Sequence, residues 1–267
     1  MSRGRTSSPD IGDQPLSKVN TLQQADPLTG FGEYIMIPMK VITVVASAIL
    51  TASLGLAADS QKKDVDIPTP DGTSLKGSYY SPGKPGPAML LLHQCNMDRH
   101  AWDGLANDLA GAGFHVLTID FRGFGQSSGG PRDKWPGDVD AAYAFLLSQK
   151  GVDKSRVAAG GASCGVTQAS NAAVRHHEIK ALVLLSGNAS DDARAYFAAT
   201  GLPVFGAASE GDTGAANGIR AALGASKNPR STLKIYSGTE HGVPMFTKNA
   251  ELEPMIVKWL KTQLAED

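Results

Sequence analysis

The sequence predicts an α/β fold, built on a mainly parallel sheet with helices on both faces. Short uncharged apolar runs alternate with longer segments whose apolar residues recur at helical spacing. Strands that are buried on both faces of a parallel sheet have this composition. The 267-residue chain has no internal repeat and no break in composition between 60 and 267, which predicts a single domain over 60–267.

The predicted elements follow in chain order. A hairpin comes first, with strands at 65–69 and 74–80 joined by the turn sequence Pro70-Asp71-Gly72. Further strands are predicted at 88–92, 115–119, 156–160, 181–185, 202–208 and 233–236. Helices are predicted at 102–112, 138–147, 166–175, 191–200, 215–225 and 252–264. The segment 123–137 is rich in Gly, Ser and Pro, which predicts a loop.

Composition and charge exclude several classes of protein. The 25 Lys and Arg residues nearly balance 26 Asp and Glu, giving a formal net charge of −1. A nucleic-acid-binding protein normally carries a basic excess. With 42% hydrophobic residues and two cysteines, the chain is typical neither of a disordered protein nor of a disulfide scaffold.

The first 57 residues are predicted to lie outside the folded domain. We interpret 1–35, which is polar and aperiodic, as a disordered extension or as sequence upstream of the true start. Residues 36–57 have the pattern of a signal peptide. Lys40 precedes an uncharged apolar run at 41–56, and Gly55 and Ala57 provide the small residues of a cleavage site. A transmembrane anchor is the alternative, although the run is shorter than the roughly 20 residues that span a bilayer. Cleavage near Ala57 predicts an exported protein, periplasmic or secreted.

Two Gly-x-Ser-x-Gly patterns provide candidate nucleophiles, centred on Ser163 and Ser127. A nucleophilic serine of this type lies on a sharp turn between a strand and a helix. A strand-like run precedes Ser163 and a helical pattern follows it, whereas Gly129, Gly130 and Pro131 after Ser127 do not start a helix. We therefore predict Ser163 as the nucleophile and interpret Ser127 as a polar loop residue.

A serine nucleophile needs a general base, and the base needs an acid that orients it. His241 follows the last predicted strand, and Asp212 follows the strand at 202–208. Both belong to loops at the carboxyl edge of the sheet, where such folds place reactive groups. Glu210 is the alternative acid. The chain order Ser163, Asp212, His241 is the order of the triad in α/β-hydrolases.

These residues make the chain resemble α/β-hydrolases of the dienelactone-hydrolase-like or small serine esterase type over 65–264. The likeness is carried by the segment 90–94, the Asp-x-Arg-Gly-x-Gly-x-Ser loop at 120–127, the turn at Ser163, Gly211-Asp212 and His241-Gly242. The resemblance implies an eight-stranded sheet. Gln94 departs from the Gly that usually follows the strand-end His. Ser163 also differs from the cysteine nucleophile of dienelactone hydrolases proper, and Cys164 is disfavoured as an alternative because the β-branched Val166 lies two residues on.

The resemblance also implies an oxyanion hole made by the backbone N–H groups of Cys95 and Cys164. Amides that converge on one oxygen atom would bring the chain's only two cysteines within the Cα separation of roughly 4.4–6.8 Å that a disulfide requires. We therefore hypothesise a disulfide between Cys95 and Cys164, with two reduced thiols as the alternative.

The predicted activity is hydrolysis of small carboxylic esters through an acyl-enzyme on Ser163. Dienelactone or small-peptide hydrolysis and a non-catalytic binding module are the alternatives. Only 187–201 separates two predicted strands, so we expect one helix and no cap domain there. The sequence has no metal-ligand cluster and no phosphate-binding glycine loop, so no cofactor is predicted. The expected partner is a small-molecule ester, without nucleic acid or a stable membrane span, and the oligomeric state stays open.

Overall fold

The computed structural model describes residues 61–266. The predicted extension at 1–35 and the predicted signal peptide at 36–57 therefore lie outside the described residues. The strands are β1 (Gln61–Pro68), β2 (Ser74–Ser81), β3 (Gly86–Leu92), β4 (His115–Ile119), β5 (Val152–Ala162), β6 (Ile179–Leu185), β7 (Val204–Ser209) and β8 (Thr232–Tyr236). The helices are α1 (Asp103–Gly111), α2 (Trp135–Ser148), α3 (Cys164–Arg175), α4 (Asp191–Thr200), α5 (Thr213–Ser226), α6 (Met245–Lys248) and α7 (Leu252–Gln263).

The strands form one sheet in the order β1-β2-β4-β3-β5-β6-β7-β8. The β1–β2 hairpin is antiparallel, and β2 is also antiparallel to β4. Every other neighbouring pair is parallel. The predicted fold class, a mainly parallel eight-stranded sheet, is therefore confirmed.

Helices cover both faces of this sheet because its central strands are apolar on both sides. Along β3, Leu90 and Leu92 pack into one buried cluster together with side chains of α2, α3, α4 and α5. The intervening Met89 and Leu91 pack into a second cluster with α1 and α7. Alternate residues of a strand point to opposite faces, so the uncharged run at 88–92 supplies both halves of the core.

The predicted loop at 123–137 is wrong at its carboxyl end. A short 3₁₀ turn spans Arg132–Lys134, and α2 already begins at Trp135. Pro136 lies in the first turn of α2, where the missing amide hydrogen breaks no helical hydrogen bond. The four-residue α6 was not predicted, because one turn of helix has no apolar periodicity.

The sheet brings the carboxyl ends of four parallel strands to one edge. Ala162 pairs with Leu185 of β6, and Ser209 at the end of β7 pairs with Tyr236 of β8. The loops after β5, β7 and β8 therefore meet at the same edge. Between β6 and β7 the chain forms only α4, which agrees with the prediction of no cap domain. None of the helices in the described part of the chain is long and apolar enough to cross a membrane.

Candidate active site

Ser163 lies on a strained turn between β5 and α3. Its backbone has φ +52° and ψ −116°, a conformation that non-glycine residues rarely adopt and that is concentrated at functional sites. Its amide donates a 2.9 Å hydrogen bond to the Leu185 carbonyl, which ties the turn to β6. Ser163 occupies the N-cap position of α3, but its side chain makes no capping hydrogen bond. The hydroxyl is thus not used to stabilise the helix.

The glycines on either side of Ser163 are required by close backbone contacts. A Cβ atom on Gly161 would lie 2.1 Å from the Gly165 carbonyl oxygen, and one on Gly165 would lie 2.3 Å from the Leu92 carbonyl oxygen. Neither position can hold a side chain unless the backbone moves. The Gly-x-Ser-x-Gly pattern at Ser163 is therefore a steric requirement of this turn.

Ser127, the centre of the competing pattern, has a structural role. Its hydroxyl donates to the Asp120 carbonyl at 2.7 Å and accepts from the Lys76 amide at 2.8 Å. These bonds join the loop after β4 to β2. The contacts support the interpretation of Ser127 as a polar loop residue, because both of its hydrogen-bonding functions are already occupied.

His241 and Asp212 are in direct contact. The Nδ1–H group of His241 donates to Asp212 Oδ2 at 2.5 Å, which leaves the Nε2 lone pair of a neutral imidazole available as a base. Asp212 is the N-cap residue of α5, yet its carboxylate makes no capping bond and accepts from His241 instead. The alternative acid, Glu210, pairs with Arg220 at 2.5 Å. The geometry therefore favours Asp212 over Glu210.

The loop that carries His241 packs against the turn that carries Ser163. A Cβ atom on Gly242 would lie 3.3 Å from the Cβ of Ala162, the residue before Ser163. The Ser163 hydroxyl has no hydrogen-bond partner among residues 61–266. Hydrogen bonds between a catalytic hydroxyl and its base are often long until substrate binds. The structure thus joins His241 to Asp212 directly and brings the loop of His241 beside the turn of Ser163.

The register of the sheet also explains how Cys95 and Cys164 meet. Leu92 of β3 pairs with Gly161 of β5, and each cysteine lies three residues beyond its member of that pair. The two cysteines are joined by a disulfide with a Cα–Cα distance of 5.9 Å. Within the described part of the chain, neither cysteine amide has a hydrogen-bond acceptor. Both amides are therefore available to a ligand.

Residues 93–97 are here called the oxyanion loop, after the role that the resemblance implies for the Cys95 amide. The buried His93, which the sequence did not mark as a site residue, holds this loop in place. The Nδ1–H group of His93 donates to the Gln94 carbonyl at 2.8 Å, and its Nε2 accepts from the Phe121 amide at 3.1 Å. The same Gln94 carbonyl accepts from the Met97 amide at 3.1 Å, which closes a turn around Cys95. Both nitrogens of His93 are thus used to hold the loop.

Mild acid is expected to destabilise the protein through His93. Burial lowers the pKa of this imidazole from its ordinary value of 6.5, so below about pH 6.5 the unfolded chain binds a proton that the folded chain does not. The free energy of unfolding should therefore fall from that pH down to the lowered pKa of the folded state. His93→Gln should reduce this slope in urea unfolding measured between about pH 7.5 and pH 5.5.

His100→Gln is the control for the substitution itself, because it replaces an exposed imidazole with the same side chain. Burial also lowers the pKa of His115, so His93→Gln should remove only part of the dependence. An unchanged slope in His93→Gln would contradict this account of the loop.

The Cys95–Cys164 disulfide is expected to leave no free thiol in denatured, unreduced protein. The cross-link joins residues 69 positions apart, and closing a loop of that length stabilises a folded chain by about 4 kcal/mol. The double variant Cys95→Ser/Cys164→Ser should lose stability of that order in chemical unfolding. Two thiols per chain, titrated in protein from an oxidising compartment, would show that the bond does not form.

Two sequence comparisons bear on the family. A family model described as alpha/beta hydrolase fold matches residues 87–241, more than half of the chain. An uncharacterised protein of Mycobacterium tuberculosis is 38% identical over 127 residues, which are 46% of this chain and 45% of that protein. The thiohydrolase aneE of Aspergillus aculeatus is 28% identical over 139 residues, 48% of this chain and 43% of that protein. The chain spans about half the length of the curated relatives it matches.

Solved structures agree with the fold. An esterase of Pyrococcus furiosus superposes with a TM-score of 0.64 and 19% identity, covering 78% of this chain and 93% of that one. A thermophilic esterase of Thermogutta terrifontis superposes with a TM-score of 0.59 and 16% identity, covering 76% and 100%. At these identities the likeness shows a shared architecture, and the chemistry has to be argued from the side chains.

Proposed function

Because this chain belongs to the α/β-hydrolase family, we propose that it is a serine hydrolase that cleaves small carboxylic esters. The observation that carries the proposal is the hydrogen bond from His241 to Asp212 at the sheet edge where the strained Ser163 turn emerges. Ser163 and Asp212 both hold N-cap positions without capping. Side chains that give up a local stabilising role are expected at functional sites.

The proposed reaction begins when His241 Nε2 takes the Ser163 hydroxyl proton as Oγ attacks the ester carbonyl carbon. Asp212 holds the imidazole by its Nδ1–H group and stabilises the positive charge that develops. The tetrahedral intermediate collapses, and the alcohol leaves with the proton that His241 has carried. Water, activated by the same histidine, then attacks the acyl-enzyme and releases the carboxylic acid.

The Cys95 and Cys164 amides are proposed to bind the oxyanion of both tetrahedral intermediates. Two properties support this role. Neither amide hydrogen has an acceptor in the described part of the chain, and α3 begins at Cys164. A helix N-terminus carries a partial positive charge that stabilises an anion. A preorganised donor of this kind lowers the barrier by about 3 kcal/mol, and the disulfide between the two residues would hold both donors in place.

Small, soluble acyl groups are the proposed substrate class. Many α/β-hydrolases carry a cap domain after the sixth strand, whereas here α4 alone connects β6 to β7. We therefore propose an open site, suited better to short esters than to an enclosed lipid chain. Thioesters are a second candidate, because one matched relative is named a thiohydrolase.

Substrate class can be tested by offering the protein p-nitrophenyl acetate, an acetyl thioester, a dienelactone and a peptide anilide. Ester turnover well above amide turnover is the expected result. Preferential cleavage of the thioester, the dienelactone or the anilide would redirect the proposal to that acyl bond. Failure to turn over any of the four would favour a non-catalytic binding module.

We also propose that the protein is exported after cleavage near Ala57. The support is the sequence pattern at 36–57, and oxidising compartments permit the disulfide that links Cys95 to Cys164. N-terminal sequencing of the exported protein should give a start near residue 58. Uncleaved protein retained in the cytoplasm would contradict this proposal.

A further inference from the structure

The Gln94 side chain connects the two loops that supply the proposed base and oxyanion donors. It is 1% exposed and lies between the oxyanion loop, 93–97, and residues 237–244, here called the base loop. The base loop carries His241. We propose that Gln94 is a positioning residue that fixes the two loops relative to each other, an inference that rests on the proposed serine-hydrolase function.

On the base-loop side, Gln94 Oε1 accepts a buried 2.9 Å hydrogen bond from the Val243 amide. This amide lies two residues after His241. Gly242 makes the contact possible, because its φ is +71° and a Cβ there would lie 2.2 Å from Gln94 Oε1. A side chain at 242 would therefore displace the Gln94 amide from the Val243 N–H group.

On the oxyanion side, Gln94 Nε2 donates to Asn96 Oδ1 at 2.8 Å. Gln94 and Asn96 flank Cys95, so this bond braces the short segment whose amide is the proposed donor. Together with the Val243 contact, it makes one side chain span both loops. A shift of Gln94 would therefore move the base and the oxyanion donor relative to each other.

Both contacts explain why an amide side chain occupies this position. The Val243 N–H group needs an acceptor and Asn96 Oδ1 needs a donor, and a glutamine side chain offers both. The glycine that the family usually has after the strand-end histidine supplies neither. Glutamate keeps an acceptor for Val243, and the exposed Asn96 can turn its amide to donate to the carboxylate. Leucine has a similar size but loses both hydrogen bonds.

The test compares Gln94→Leu, Gln94→Glu and Asn96→Ala in the full chain, with Gln149→Leu as the matched control. The Gln149 side chain donates hydrogen bonds only to Phe145 and Ser148, near the end of α2. Gln94→Leu should lower kcat for p-nitrophenyl acetate about 100-fold, since small misplacements of reacting groups cost that much, and should change KM by less than about twofold. Gln94→Glu should lose less kcat than Gln94→Leu but should not reach the wild-type value, because its buried carboxylate adds negative charge near the oxyanion donors, whereas Asn96→Ala should cost only a few-fold.

Amide hydrogen exchange provides a readout that does not need activity. Peptides covering 242–245 should exchange faster in Gln94→Leu, but at the wild-type rate in Gln94→Glu, Asn96→Ala and Gln149→Leu. Wild-type kcat in Gln94→Leu, or an equal loss of exchange protection in the leucine and glutamate variants, would overturn the proposal. If the wild-type protein has no Ser163-dependent turnover, the proposed function fails, and the exchange rates alone decide whether Gln94 holds the base loop. If the leucine variant does not fold, wild-type exchange in Gln94→Glu supports the proposal and fast exchange there overturns it.

Discussion

Replacing Ser163 with alanine is expected to lower kcat for ester hydrolysis by roughly 10⁴- to 10⁶-fold, because the acyl-enzyme then cannot form. The fold should survive, because the Ser163 hydroxyl makes no hydrogen bond to any other residue in 61–266. The hydrogen bond from the backbone amide at 163 to the Leu185 carbonyl is kept in the variant. Steady-state kinetics together with a thermal unfolding curve would measure both quantities. Residual activity above the buffer rate is expected from the oxyanion donors alone.

Ser127→Ala is the matched control for this substitution. It removes the hydroxyl contacts to Asp120 and Lys76, so it should reduce stability while kcat stays near the wild-type value. Ester turnover that survives Ser163→Ala and disappears in Ser127→Ala would assign the nucleophile to the other Gly-x-Ser-x-Gly pattern.

Asp212→Asn is expected to lower kcat about 10⁴-fold, with little effect on KM. An asparagine can present its NH₂ group to His241 Nδ1, which leaves the imidazole proton on Nε2, where the ring cannot act as a base. Because Asp212 makes no capping bond to α5, the loss should be catalytic and the melting temperature should change little.

Glu210→Gln is the control for the acid. This carboxylate is exposed and contacts Arg220 instead of His241, so kcat should stay at the wild-type value. The stability should also change little, because exposed ion pairs contribute little to it. A large loss of kcat in Glu210→Gln with near-normal kcat in Asp212→Asn would show that the orienting acid is Glu210.

The sequence predicts the sheet well because the central strands are short apolar runs whose composition differs sharply from the adjoining helices. The segment 88–92 illustrates this, since every one of its side chains is buried. Boundaries are harder to predict where local composition and tertiary contacts disagree. Trp135 packs its ring against Phe121, and this contact, invisible in the sequence, stabilises a helix start inside a segment rich in Gly and Pro.

In the candidate site, too, some features can be predicted from local sequence and others depend on tertiary contacts. The sequence predicts that Ser163, Asp212 and His241 lie at one edge of the sheet, because each follows a strand and parallel strands end at the same edge. The support from Gln94 cannot be predicted in this way. Its hydrogen bond to Val243 joins residues 149 positions apart, and no local pattern marks either end of it. The departure from glycine at Gln94 was the one available signal.

The most direct test of the account is covalent labelling of the native protein with a fluorophosphonate, mapped by peptide mass spectrometry. This reagent reacts with a serine hydroxyl that a neighbouring base has activated. One label per chain is expected on Ser163, and this label should be lost on unfolding or in His241→Ala. A label on Ser127, or no label on folded wild-type protein, would contradict the claim that Ser163, His241 and Asp212 act together.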